Sequence, residues 1–166
     1  LILLAKNNTG YKNLIKIVSA AHLEGFYYKP RVDKDFLRKH SEGLIALSAC
    51  LGGELSRAIA SNPPVDGYDK AKKIAREYED IFGKGNYYIE LQQHLHIEDQ
   101  NLVTPRLVKL ARETGIPIVA TQDSHYTHSD DAHAHDVLLA VQTGNKLDDT
   151  DRLSMKDDNF SLLRGT

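Results

Sequence analysis

Four short apolar runs, each followed by a segment of helical period, constrain this chain more than any other feature. They are LILLA at its start, LIALSA at Leu44–Ala49, the YYIEL of NYYIELQQH, and IPIVATQ beginning at Ile116. Each is of strand length, and LIALSA is apolar throughout, as in a parallel strand covered on both faces. After the first run, Leu14, Ile17, Val18 and Ala21 recur at i, i+3, i+4 and i+7, predicting a helix capped by Asn8 or Thr9. EGFYYKPRVD reads as a loop whose Asp33 caps a short helix through Leu37. LGGELSRAIA predicts a short helix, SNPPVDG a break, and Asp66 the start of a longer helix with Tyr68, Ala71, Ile74, Ala75, Tyr78, Ile81 and Phe82 on one side. GKGN stops that helix. A further helix runs from about Glu98 to Glu113 with Pro105 kinking it or delaying its start, and a last one from about Ser129 to Gln142 with Val137, Leu138 and Val141 inward. This alternation predicts an α/β fold with a parallel sheet and right-handed crossovers, as a barrel or an open sheet.

Composition narrows the function. Lys and Arg (21) nearly balance Asp and Glu (23), so no broad basic face is available to hold nucleic acid by charge alone. No apolar run approaches the roughly 20 residues that cross a bilayer, and no signal pattern opens the chain, which reads as cytoplasmic with no membrane partner. The start, LILLAKN, lacks an initiating Met and enters directly in a buried-looking strand, as a piece of a larger protein would. Cys50, the single cysteine, is either a small buried hydrophobe or a working thiolate. P-loop, GxGxxG and nucleophile-elbow patterns do not occur.

In parallel α/β folds the reacting groups gather where strands end. The second strand ends at Cys50, the third at Glu90, Gln92 and His94, and the fourth at Asp123 and His125. Period-two alternation lets Glu90, Gln92 and His94 share one direction, and likewise Asp123 and His125. Thiolate, carboxylate and imidazole on three successive strand ends are the donor types of zinc and related metals. Taken singly, the DxH pair also fits an exposed loop. His94 and His96 fit a solvated turn before a helix, and His133 and His135 fit packing or capping roles. His22 and His40 fit exposed helix ends, and Glu54 fits electrostatic support of its own helix's first turn.

LLAKNNTGYKNLIKIVSAAHLEGFYYKPRVD, EGLIALSACLGGELSRAI, NYYIELQQH and GIPIVATQDSHYTHSDDAHAHDVLLAVQTG, in that order, resemble the polymerase and histidinol phosphatase (PHP) domain of bacterial DNA polymerase III alpha subunits. The resemblance covers nearly the whole chain, and LIALSACLGGE and VATQDSHY are its most specific pieces. It implies the C-terminal part of a distorted (β/α)7 barrel with outer helices, over 1–144, with 145–166 as a surface segment or a connection toward a polymerase region. It implies a divalent metal centre at the strand ends, of zinc or else manganese or magnesium, holding up to three ions. Cys50, Asp123 and His125 match its ligands, and Glu90 and His94 match positions of its third strand. The family's opening HxH, TDH-like segment and next glutamate are expected before Leu1, so the fragment alone is expected to be a poor catalyst.

The function implied is DNA replication: a DNA-directed DNA polymerase, a nucleotidyltransferase, whose PHP module hydrolyses phosphoesters as a 3′–5′ proofreading exonuclease or a pyrophosphatase. Clustered ions would lower the pKa of a bound water and balance phosphoryl charge. The alternatives are a non-catalytic module that scaffolds the polymerase and docks an exonuclease subunit, and a stand-alone PHP phosphatase. Implied partners are the remaining polymerase domains, other holoenzyme subunits, and DNA through the full-length protein.

Overall fold

The computed structural model describes residues 1–60, 64–156 and 158–162. The chain runs β1 (Ile2–Ala5), α1 (Asn8–Leu23), α2 (Lys34–Lys39), β2 (Leu44–Leu47), α3 (Glu54–Ala60), α4 (Pro64–Phe82), β3 (Tyr87–Leu91), α5 (Glu98–Thr114), β4 (Ile118–Ala120) and α6 (Ala132–Thr143), with a 3-10 turn at Ser129–Asp131. The α/β class is therefore as expected, and the strands form one sheet in the order β1-β2-β3-β4. β2, β3 and β4 are parallel, whereas β1 runs antiparallel to β2 with Leu3 opposite Ala46. That corrects the uniformly parallel reading: an apolar run carries no record of strand direction.

The pairing register separates two faces. Leu3, Leu44, Ala46, Tyr87, Ile89 and Leu91 join the core with Ile17, Leu37, Leu55, Ile74, Tyr78, Leu107 and Leu110 of the helices. Full burial of a side chain such as Ile89 contributes about 1.5–3 kcal/mol. On the opposite face Ile2 and Leu4 are exposed, Ile45 and Tyr88 are half-buried, and Leu47, Glu90 and Gln92 are buried. The core helices thus cover one face of the sheet, not both.

Local chemistry explains the element ends. Asn7, not Asn8 or Thr9, caps α1, its side chain accepting from the Gly10 amide at 2.9 Å. Gly10 packs so closely on Gly43 that a Cβ there would sit 1.8 Å from the Gly43 carbonyl oxygen. Val18, expected inward, is exposed, because Gly10, Asn13 and Ile17 form the buried stripe. Asp33 caps α2 as expected, accepting from Phe36 N at 2.7 Å. The expected break at SNPPVDG falls partly at 61–63, outside the described residues, and α4 begins at Pro64 rather than Asp66. Pro105 lies inside an unbroken α5. In α6 the inward residues are Asp136, Leu139 and Ala140, whereas of the three expected inward Val137 is half-buried and Leu138 and Val141 are exposed.

The segment after Gly144 wraps back over the loop that follows β4. Arg152 forms a two-pronged ion pair with Asp136 of α6 at 2.7 and 2.6 Å, and Ser154 Oγ donates to the same carboxylate at 2.8 Å. Arg152, ahead of Ser154, holds the Asp136 carboxyl well below the usual carboxylate range. Residues 163–166 of the expected tail lie outside the described residues. Among the described residues no helix is long and apolar enough to cross a membrane.

Candidate functional site

The C-terminal ends of β2, β3 and β4 meet at one buried carboxylate. Glu90, 2% exposed, receives the Ala49 amide at 3.0 Å on Oε2, and the Thr121 hydroxyl at 2.5 Å and Gln92 Nε2 at 3.3 Å on Oε1. Its own amide donates to Ser48 Oγ at 2.9 Å. One side chain therefore ties three strand ends, and protein donors already occupy its oxygens. A buried polar group held this way is satisfied and positions its neighbours.

The turn that it holds is strained. Ala49 has φ +67°, a left-handed conformation that costs a residue with a Cβ about 1–2 kcal/mol. Cys50 follows at once as a free, half-buried thiol, and Gly53 closes the turn, its amide donating to the Cys50 carbonyl at 2.9 Å. A Cβ on Gly53 would lie 2.3 Å from the Ser48 carbonyl oxygen, so only glycine fits. Glu54, which sequence reasoning limited to its own helix, reaches further: it accepts from Tyr78 OH at 2.6 Å and from Lys34 at 2.9 Å, tying α3 to α4 and α2. Burial and the hydrogen bond to Glu54 together raise the Tyr78 phenol well above its ordinary range.

At the end of β4 the chain turns again through a left-handed residue, Asp123 at φ +52°. Aspartate tolerates this conformation better than most residues. The turn replaces the expected strand alternation, yet Asp123 and His125 meet, with His125 Nε2 3.5 Å from Asp123 Oδ1. The His125 ring lies edge-on to His135 at 5.6 Å and to Phe160 at 5.5 Å.

Glu90 and Gln92 are side by side, Gln92 Nε2 lying 3.3 Å from Glu90 Oε1, and both they and His94, which lies beyond the end of β3, are buried. His94, 2% exposed, stacks on Phe160 at 4.3 Å, and neither ring nitrogen has a partner among the described residues. Each such buried orphan costs about 1–3 kcal/mol. Phe160 is held over it by the tail: His125 N donates to the Phe160 carbonyl at 2.8 Å, and Phe160 N donates to Tyr126 OH at 3.1 Å. His96 is exposed and its amide donates to Asp158, as a solvated turn requires.

The structure thus brings Asp123 to His125 and ties Glu90 to the turn that bears Cys50. Among the described residues no three of His, Cys, Asp and Glu come together as a group able to hold a metal. The donors present in this chain do not by themselves fit the metal centre that the resemblance implies. Sequence reasoning missed Ser48, Thr121, Phe160 and the Arg152–Asp136 pair. Ser48 and Thr121 could have been found as hydroxyls beside strand ends, whereas Phe160 is marked only by being aromatic in a polar tail.

A sequence profile of the PHP domain matches residues 1–94. DNA polymerase III subunit alpha of Borreliella burgdorferi is 49% identical over 162 residues, 98% of this chain and 14% of that protein. The proteins of the same name from Treponema pallidum and Thermus aquaticus are 44% and 46% identical, over 98% and 96% of this chain. Each alignment covers only 13% of the polymerase. The chain therefore spans about one-seventh of these curated relatives' length. With the profile covering more than half of its residues and the polymerase alignments nearly all of them, the chain belongs to the PHP domain family.

Proposed function

We propose that this chain is part of the PHP domain of a replicative DNA polymerase of the DNA polymerase III alpha type, acting in the cytoplasm, with residues 1–144 in the domain and 145–166 leading toward the rest of the polypeptide. In this reading the module serves phosphoester hydrolysis, as 3′–5′ proofreading or removal of pyrophosphate, beside a DNA-directed polymerase elsewhere in the protein. Cys50, Asp123 and His125 are this chain's share of a divalent metal centre completed by other residues of the same polypeptide. A thiolate beside imidazole and carboxylate suits zinc better than magnesium, with manganese between them. Glu90 is assigned to positioning, since its oxygens already receive protein donors.

The observation that carries this reading is the pair of left-handed turns, at Ala49 and Asp123, that end two parallel strands flanking β3 and bear the candidate donors. Strain of this kind collects at functional sites. The test is Asp123→Asn in the intact protein, assayed for release of a mispaired 3′ nucleotide and for pyrophosphate hydrolysis. Both activities unchanged would overturn the phosphoesterase reading.

A second reading, a non-catalytic scaffold that supports the polymerase and docks an exonuclease subunit, is favoured by one observation. Phe160 covers His94 and abuts His125, filling the space beside the histidines with an apolar ring. Co-purification of exonuclease activity with the intact protein, lost when the sheet surface is altered but not in Asp123→Asn, would select it.

A further inference from the structure

Between the ends of β3 and β4 and the first turns of α5 lies a cleft of about 510 Å³. Its polar lining includes Gln92, Gln93, Gln100, Asn101, Thr104 and Gln122, and none of the described residues that line it is Asp, Glu, Lys or Arg. In a chain that is 27% charged, such a neutral polar wall is unusual.

The amides in this wall are oriented. Gln100 Nε2 donates to the Gln92 carbonyl at 3.0 Å, Asn101 Nδ2 to the Leu95 carbonyl at 2.9 Å and Gln122 Nε2 to the Asn159 carbonyl at 3.1 Å. A backbone carbonyl only accepts, so each amide nitrogen is fixed on the protein. Gln92 Nε2 is held by the Glu90 carboxylate and Thr121 Oγ1, and Gln92 Oε1 is buried without a partner among the described residues. Gln92 is 6% and Gln100 5% exposed, so these are built positions and not surface side chains. At least one N–H of each of Gln92, Gln100, Asn101 and Gln122 is thus committed to the protein, which turns their amide oxygens away from those partners, while Leu91, Pro105 and Ala120 add apolar surface.

We propose that this cleft is a nucleobase subsite. A wall of amides without Asp, Glu, Lys or Arg suits a flat, neutral ligand whose edge carries N–H donors. Adenine and cytosine present an amino group on their pairing edge, thymine a ring N–H, and guanine both, so the same oxygens accept any of the four. No described Lys or Arg in the lining would draw a phosphate in, which leaves the phosphate end outside, toward Asp123, the residue after Gln122. The assignment deepens the phosphoesterase reading and rests on it for the identity of the substrate, but base binding itself requires neither metal nor hydrolysis.

The test is saturation-transfer NMR titration of the intact protein with 2′-deoxycytidine and thymidine in the presence of a chelator, with 2-deoxyribose as the baseless control. Both nucleosides bind more tightly than the sugar, and Gln100→Leu and Asn101→Ala each weaken them about threefold to tenfold, the effect of one lost hydrogen bond. Binding elsewhere in the polypeptide is indifferent to these substitutions. Unchanged nucleoside affinity in both variants, or no preference over 2-deoxyribose, overturns the proposal. Should Gln100→Leu fail to fold, Asn101→Ala on the exposed rim decides alone. Nucleoside binding without phosphoester hydrolysis would sink the phosphoesterase reading and leave the subsite standing.

Discussion

Replacing Glu90 separates its role as a positioning residue from that of a ligand. Glu90→Ala strands the Ala49 amide, which is then without its acceptor in a left-handed turn, and removes the acceptor of Thr121 and Gln92. An unsatisfied buried amide costs about 1–3 kcal/mol, and the void left by the shortened side chain adds roughly 1 kcal/mol. The expected loss is about 2–4 kcal/mol. Glu90→Gln is different: its oxygen can keep the Ala49 amide, its nitrogen can donate to Thr121 Oγ1, and a flipped Gln92 can turn its orphan oxygen toward the new donor. That change is expected to cost about 1 kcal/mol or less, a difference between variants of several degrees in Tm for a domain of this size. Urea and thermal unfolding of the intact domain, with alkylation of Cys50 as a local probe, measure both effects. Glu90→Ala should speed the alkylation and Glu90→Gln should not. Equal damage from the two variants would refute the network argument, because it would mean that the charge, not the hydrogen bonding, is what matters.

Other outcomes follow from the same geometry. Gly10→Ala, which drives a Cβ into the Gly43 carbonyl, should destabilise the domain by about 3 kcal/mol or more, read from the urea midpoint. Phe160→Ala should open the cover over His94 and make that ring, unmodified in the wild type, react with diethyl pyrocarbonate. The Asp136 pKa is lower in the folded state than in the unfolded chain, so the pair with Arg152 contributes stability above the unfolded value and loses it as pH falls through the folded one. Amide protection factors in the segment around Arg152, exchange rates divided into their intrinsic values at each pH, should therefore be the same at pH 5 as at pH 7 and should fall only below about pH 4.

Much of the fold was legible because periodicity reports burial directly: the face of α4 read from Tyr68 to Phe82 is the face that packs. Where the reading went astray, periodicity was not the deciding quantity. β1 reads as a buried parallel strand, but it pairs antiparallel with β2 and its residues on the far face, Ile2 and Leu4, are exposed. In α6 a buried ion pair, Asp136 with Arg152, chooses the inward side against Leu138 and Val141. At the site, alternation placed Glu90 and Gln92 side by side on one buried face. It could not reveal that Glu90 is occupied by protein donors, that Asp123 reaches His125 through a left-handed turn, or that a tail aromatic covers His94. Those are tertiary contacts between residues far apart in sequence.

The most direct test of the account is the metal content of the intact protein by elemental analysis, wild type against Cys50→Ala, His125→Ala. The account predicts bound divalent metal in the wild type and its loss in the double variant. A wild type without metal, or a double variant that keeps all of it, would contradict the assignment of Cys50 and His125 to one shared centre.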